Sequence, residues 1–100
     1  MPTALRKRNV PISGVRSVVR EGGPDGDEAV VFVHGNPGSS ADWEFLGAQV
    51  ADFARVIAPD MCGCGDSEAP PGVRNYRGEV VIADLIALLD ALAIDKVRLV

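Results

Sequence analysis

The run Ala29-Val30-Val31-Phe32-Val33 constrains this chain more than any other feature. It is continuously apolar and mostly β-branched, with a turn-rich segment before it and a glycine-containing loop after it. A strand with one wet face would alternate apolar and polar residues. This run does not alternate, so it fits a strand buried on both faces, in a sheet covered by helices on each side. Arg55-Val56-Ile57-Ala58-Pro59 is a second short run of the same kind, closed by Pro59, and Lys96-Val97-Arg98-Leu99-Val100 begins a third. Between the first two, Asp42 to Ala51 reads as a short helix with Trp43, Leu46 and Val50 on one face. Ser39, with Asp42 three residues on, supplies its capping box. A longer helix is expected from about Tyr76 to Ala93, N-capped by Asn75. There Val81, Leu85, Leu88 and Leu92 form the apolar stripe, and Ile82, Ile86 and Leu89 widen it. Upstream, Val10 and Ile12 face Val15, Val18 and Val19 across Ser13-Gly14, which reads as a hairpin. The expected order is therefore an N-terminal hairpin followed by β-α-β-α-β in a mostly parallel sheet, an α/β architecture with right-handed crossovers. Ligands in such sheets bind in loops at the carboxyl ends of strands. Two such loops are present, His34–Ser40 and Asp60–Gly72.

Composition narrows the class. The chain has 100 residues, 47% hydrophobic and 24% charged, which suits one small globular domain and excludes a disordered one. No apolar stretch approaches the ~20 residues of a membrane span. Arg6-Lys7-Arg8 is not followed by an apolar segment, so a secretory signal is not expected. Two cysteines make no disulfide framework, and a reducing, cytoplasmic setting is the default. The net charge of −4 is unevenly spread: all four basic residues before Arg20, and Arg20 itself, precede the first acid, Glu21. The acidic remainder repels phosphate backbones, so nucleic acid is a poor partner and a small-molecule substrate a better one. The basic residues of 1–20 are expected to form a solvated N-terminal segment, with residues 1–9 flexible and residues 10–100 forming sheet and helices.

The two loops carry the chemistry. Val33-His34-Gly35-Asn36-Pro37-Gly38 resembles the H-G-x-P motif of α/β-hydrolase-fold enzymes. Pro59-Asp60-Met61-Cys62-Gly63-Cys64-Gly65-Asp66-Ser67 resembles the P-D-x-x-G-x-G-x-S stretch that follows the next strand in the same family. Residues from Tyr76 to Val100 look like the helix and strand leading into the nucleophile elbow. Epoxide hydrolases and haloalkane dehalogenases are the similar members, and H-G-N-P is the dehalogenase form. The resemblance implies that the backbone N–H of Asn36 is one oxyanion-hole donor, stabilising negative charge that develops on an oxygen. It also implies that the Asn36 side-chain amide is a second donor, able to hold a departing halide, and that the Asn36-Pro37 bond is cis; the plainer reading is that asparagine merely suits the turn geometry there. Gly35 and Gly38 would let the backbone approach and turn, and Pro37 would stiffen the loop. Gly35, Pro37 and Trp43 are the candidate substrate-binding residues. No cofactor and no metal are implied.

Plainer readings compete at several positions. His34 is the only histidine, but no serine here sits in a G-x-S-x-G elbow, so it reads as a loop-organising residue and not a catalytic base. Cys62 and Cys64 read as small loop fillers, since one histidine and two cysteines do not make a metal site. Asp60 offers itself as an acid of the site, against the plainer reading of a loop cap that bonds nearby backbone N–H groups. Trp43 fits a core or pocket-floor position, and Arg74 and Arg77 fit solvated charges. A nucleotide site lacks both G-x-x-x-x-G-K-[ST] and G-x-G-x-x-G. Ala93 stands where many relatives carry glycine, so a left-handed residue there would be strained. The family takes its nucleophile from the turn after the strand that begins at Lys96, and its acid and catalytic histidine later still. Residues 1–100 are therefore expected to be an incomplete single domain, inactive alone, whose last strand leaves an apolar edge prone to association. The implied whole enzyme is a cofactor-free hydrolase of an ester, epoxide, carbon–carbon bond or haloalkane, with a Ser or Asp nucleophile. The alternative is a non-catalytic chain that needs a partner to complete its sheet.

Overall fold

A computed structural model describes residues 4–12, 14–35, 38–61, 64–67 and 78–100. Five strands form one sheet: β1 (Arg6–Ile12), β2 (Val15–Gly22), β3 (Glu28–Val31), β4 (Arg55–Pro59) and β5 (Lys96–Leu99). Their order across the sheet is β1-β2-β4-β3-β5. The hairpin β1–β2 is antiparallel, with Val10 opposite Ser17 and Ile12 opposite Val15. It joins the sheet antiparallel to β4, with Val19 opposite Pro59. The strand β3 pairs parallel to β4 on one side and to β5 on the other, the arrangement expected of a run buried on both faces. The sheet is mixed, because the hairpin docks onto β4 antiparallel to it.

Burial follows the alternation of each strand. Ala29 and Val31 of β3 and Ile57 of β4 point to one side, where they pack with Val10, Ile12, Val19, Leu88, Leu92 and Ile94. Val30, Phe32, Val56 and Ala58 point to the other, where they pack with Leu5, Trp43, Val50 and Ala51. The helix α2 (Gly78–Ala91) covers the first side, and a 3₁₀ turn (Ser40–Trp43) running into α1 (Glu44–Val50) covers the second. Ser39 caps that turn as expected: its hydroxyl accepts the Ala41 N–H at 3.2 Å, and the Asp42 carboxylate accepts the Ser39 N–H at 3.3 Å.

Several boundaries differ from the sequence reading. The strand β1 begins at Arg6, so residues 6–9, expected in a flexible head, pair with residues 18–21. The strand β3 is assigned to Val31, but the ladder continues: Phe32 N–H donates to Ile57 O at 2.9 Å and Val33 N–H to Val100 O at 3.0 Å. Leu46, placed on the inner face of the first helix, is exposed; the 3₁₀ start rotates the register, so Trp43 and Val50 face the core without it. Ile82 and Ile86 are also exposed, so the buried stripe of α2 is the narrower one running through Leu85, Leu88 and Leu92. The expected helix start at Asn75 and Tyr76 lies outside the described residues, as do Arg74 and Arg77.

The end of α2 carries the strain that its sequence implied. Ala93 has φ 57°. Its N–H donates to Asp90 O at 3.1 Å, and the Ile94 N–H reaches back to Leu89 O at 3.0 Å. This pair of bonds is a Schellman closure, with Ala93 in the left-handed position that glycine usually fills. Ile94 and Leu89 both join the core cluster beneath it, so hydrophobic packing holds the alanine in that conformation.

Candidate active site

The parallel pairing of β3 and β4 brings their carboxyl ends side by side, so the loops that follow them meet. Four buried polar side chains lie at that meeting point: His34, Ser40, Asp60 and Ser67. A buried polar group is costly without partners. Each of these four is satisfied by the other loop, by its own turn or by β2.

Asp60 follows β4 directly. Its Oδ1 accepts the Ser40 N–H at 2.7 Å and its Oδ2 accepts the Asp66 N–H at 3.0 Å. The sequence reading of Asp60 as a backbone-bonding cap therefore holds, with the addition that its two oxygens serve two different loops. Its main chain is fixed as well: Asp60 N–H donates to Val18 O at 2.9 Å, and Asp60 O accepts from Ser67 Oγ at 2.7 Å. Ser67 Oγ in turn accepts the Val18 N–H at 2.9 Å, extending the ladder of β2 beyond the end of β4. Gly65 has φ 53°, and a Cβ at that position would collide with the Asp60 carboxyl. The second glycine of the G-x-G stretch is thus fixed both by its backbone and by the carboxylate packed against it.

His34 performs the organising role expected of it. Its Nε2 accepts the Met61 N–H at 3.0 Å. That nitrogen must carry a lone pair, which puts the proton on Nδ1, 2.7 Å from Gly35 O, to which it donates. The imidazole is fully engaged in holding the two loops together. Gly38 closes the turn from the other end: a Cβ there would lie 2.6 Å from Asp42 Oδ2 and 2.7 Å from Gly35 O. A Cβ on Gly35, by contrast, would meet no described neighbour within 4 Å. Close approach therefore explains Gly38 and not Gly35. Asn36 and Pro37, with the expected cis bond between them, lie outside the described residues.

Trp43 stacks on Phe32 with ring centroids 5.0 Å apart and planes tilted by 32°, in the cluster beneath the loop. Its indole Nε1 is buried and has no hydrogen-bond acceptor among the described residues. Arg20, which the sequence reading grouped with a solvated basic segment, is recruited to the site: its Nε donates to Ser40 Oγ at 3.1 Å, and its guanidinium lies 3.6 Å from Glu44. Period-two alternation puts Arg20 on the same face as Val18, but nothing in the sequence marks its partner. Ser40 and Ser67 were likewise given no role, although Ser67 closes the second motif. Cys62 lies outside the described residues, and the backbone of Cys64 closes two successive turns, to Met61 O and from Ser67 N–H. A cleft of about 510 Å³ opens on the hairpin side of the second loop, lined by Lys7, Arg16, Val18 and Asp66 among others, but not by Gly35 or Trp43. There Lys7 Nζ donates to Asp66 at 2.6 Å, and this bond and the Lys7 charge hold the Asp66 carboxyl below its ordinary pKa. Among the described residues, no group of three or more His, Cys, Asp or Glu side chains could hold a metal, and no helix is long and apolar enough to cross a membrane.

The chain as a whole is similar to known proteins. The chain is 38% identical over 93 residues to a Bacillus subtilis (strain 168) protein described as a 2-succinyl-6-hydroxy-2,4-cyclohexadiene-1-carboxylate synthase, covering 92% of this chain and 34% of that protein. It is 41% identical over 98 residues to a haloalkane dehalogenase of Mesorhizobium japonicum, covering 98% of this chain and 31% of the dehalogenase. The crystal structure of an epoxide hydrolase from Vigna radiata superposes with a TM-score of 0.82 at 33% identity, over 96% of this chain and 31% of that one. The chain thus spans about a third of the length of the proteins it matches. The family model for the alpha/beta hydrolase fold matches residues 28–100, from the first residue of β3 onward, and the chain belongs to that family.

Proposed function

We propose that residues 1–100 form the oxyanion-hole side of a hydrolase active site, within an incomplete single α/β-hydrolase domain. The whole enzyme is read as cofactor-free and cytoplasmic, acting on a small apolar ester, epoxide, carbon–carbon bond or haloalkane. A Ser or Asp nucleophile from outside these 100 residues attacks to give a covalent intermediate, which water then releases. The backbone N–H of Asn36 stabilises the developing oxyanion, with Gly35, Pro37 and Trp43 on the substrate side. The Asn36 amide is the second donor, for a halide or an oxygen. Relatives named epoxide hydrolase and haloalkane dehalogenase support the reaction class.

The observation that carries this reading is the anchoring of the loop after β3. His34 and Ser40, at its two ends, are both bonded to the neighbouring loop or the residue that opens it, so both ends are held at the carboxyl edge of the sheet. Preorganised donors are worth most when they need not move during reaction. The test is turnover by the full-length protein of one aryl ester, one aryl epoxide, one vinylogous β-diketone for carbon–carbon cleavage, and one primary bromoalkane. Hydrolysis of at least one is expected, with a covalent adduct visible by intact mass after rapid quench. Asn36→Ala then separates the chemistries: loss of bromide release with the fold intact assigns the amide to a halide. Turnover of none of the four overturns the reading.

A further inference from the structure

Asp60 and Met61 are consecutive in the chain, and between them they hold both ends of the 34–40 loop. The Met61 N–H anchors His34 at 3.0 Å, and the Asp60 carboxylate anchors the Ser40 N–H at 2.7 Å. Between the anchors, a Cβ on Gly38 would collide with Gly35 O and Asp42 Oδ2. His34 and Ser40 are thus both referenced to one dipeptide. The dipeptide is itself pinned to β2 through Val18 and to its own loop through Ser67 and Asp66.

We propose that Asp60 is a positioning residue for the loop after β3: its carboxylate bridges the Ser40 and Asp66 amides and so fixes the end of that loop at Ser40 against the loop after β4. The catalytic consequence rests on the function proposed above; the bridge itself does not. The residue type follows from the geometry. Two N–H donors approach from two loops, and a carboxylate offers an acceptor to each. Asparagine offers one acceptor and turns an N–H toward the other donor. Glutamate adds a methylene where the carboxyl already occupies the space of the missing Gly65 side chain. Asp60 is buried, and the basic Arg20 is one step removed, bonded to the Ser40 hydroxyl and not to the carboxylate. The carboxylate is thus held by backbone amides that also place the loop.

The test uses two variants of the full-length protein, with Ser40→Ala as the reference for the second. Asp60→Asn leaves one of the two amides without an acceptor. Ser40→Pro deletes the N–H at the first position of the 3₁₀ turn together with the hydroxyl that Arg20 bonds, and comparison with Ser40→Ala, which lacks the hydroxyl alone, isolates the N–H; proline's fixed φ is tolerated there, and the extended Ser39 before it (φ −159°, ψ 176°) suits a following proline. In Asp60→Asn relative to the unsubstituted protein, and in Ser40→Pro relative to Ser40→Ala, kcat is expected to fall about 10–100-fold, with KM within about threefold, as for a misplaced catalytic group. Amide exchange at Ser40 or Asp66 should accelerate at least about tenfold in Asp60→Asn, whereas Asp66 should stay protected in Ser40→Pro. An unchanged kcat in either folded variant overturns the positioning role, and unchanged exchange at both amides in Asp60→Asn overturns the bridge. If the unsubstituted protein turns over no substrate, the proposed function fails, while the exchange result still decides the bridge.

Discussion

The two sides of the sheet are held by different chemistry. Beneath α2 the contact is apolar throughout, with Val19, Val31 and Ile57 fully buried against Leu88, Leu92 and Ile94. On the α1 side the apolar cluster of Phe32, Val56 and Ala58 gives way, toward the carboxyl ends of β3 and β4, to Ser40, Asp60 and Ser67. Apolar packing is non-directional and tolerates small shifts, whereas a hydrogen-bonded network fixes positions and penalises every unmet partner. The α2 side therefore stabilises the fold, and the α1 side also specifies where two loops lie.

That contrast can be broken by substitution, and the largest effect is expected in the apolar layer. Ile57→Ala should cost about 3 kcal/mol by loss of buried methylenes and the cavity left behind, read as a lowered urea midpoint at unchanged slope. A loss under about 1 kcal/mol would mean that this layer collapses around the gap and is less closely packed than its burial indicates. Ser67→Ala tests the polar side. It strips the acceptor from the buried Val18 N–H and the donor from Asp60 O, and should cost about 2 kcal/mol. A cost like that of a surface serine, below about 0.5 kcal/mol, would erase the distinction between the two sides. The smallest effect should run the other way. Ala93→Gly relieves a left-handed alanine at an exposed helix end and should stabilise by about 1 kcal/mol, seen as a raised Tm. Destabilisation would show that the Ile94–Leu89 packing and the alanine's lower chain entropy outweigh the strain.

The legibility of the sequence differs between the same two sides. The Ala29–Val33 run as a buried strand and the Ser39 cap follow from local pattern and appear in the structure, whereas a left-handed Ala93 was implied only by the family resemblance. The organising role of His34 and the backbone-bonding role of Asp60 were legible as residue types in loops. Their partners were not, because Asp60 and Ser40 are 20 residues apart and Ser67 and Val18 are 49 apart. Leu46, Ile82 and Ile86 mark another limit. An apolar residue at helical spacing faces the core only if the helix starts in the expected register and the sheet extends beneath it.

Local sequence therefore determined the elements, their order and the two loops that carry the family motifs, because strand burial, capping and turn formation depend on residues a few positions apart. Only the tertiary structure decided that one carboxylate bridges two loops, that Arg20 leaves the solvated basic segment to bond Ser40, and that Gly65 is fixed by the Asp60 side chain. Each of those is a contact between distant segments, set by the parallel register of β3 on β4 and the docking of the hairpin beside them. Register places the carboxyl ends of the strands together, and the directionality of hydrogen bonds then selects which buried polar groups meet.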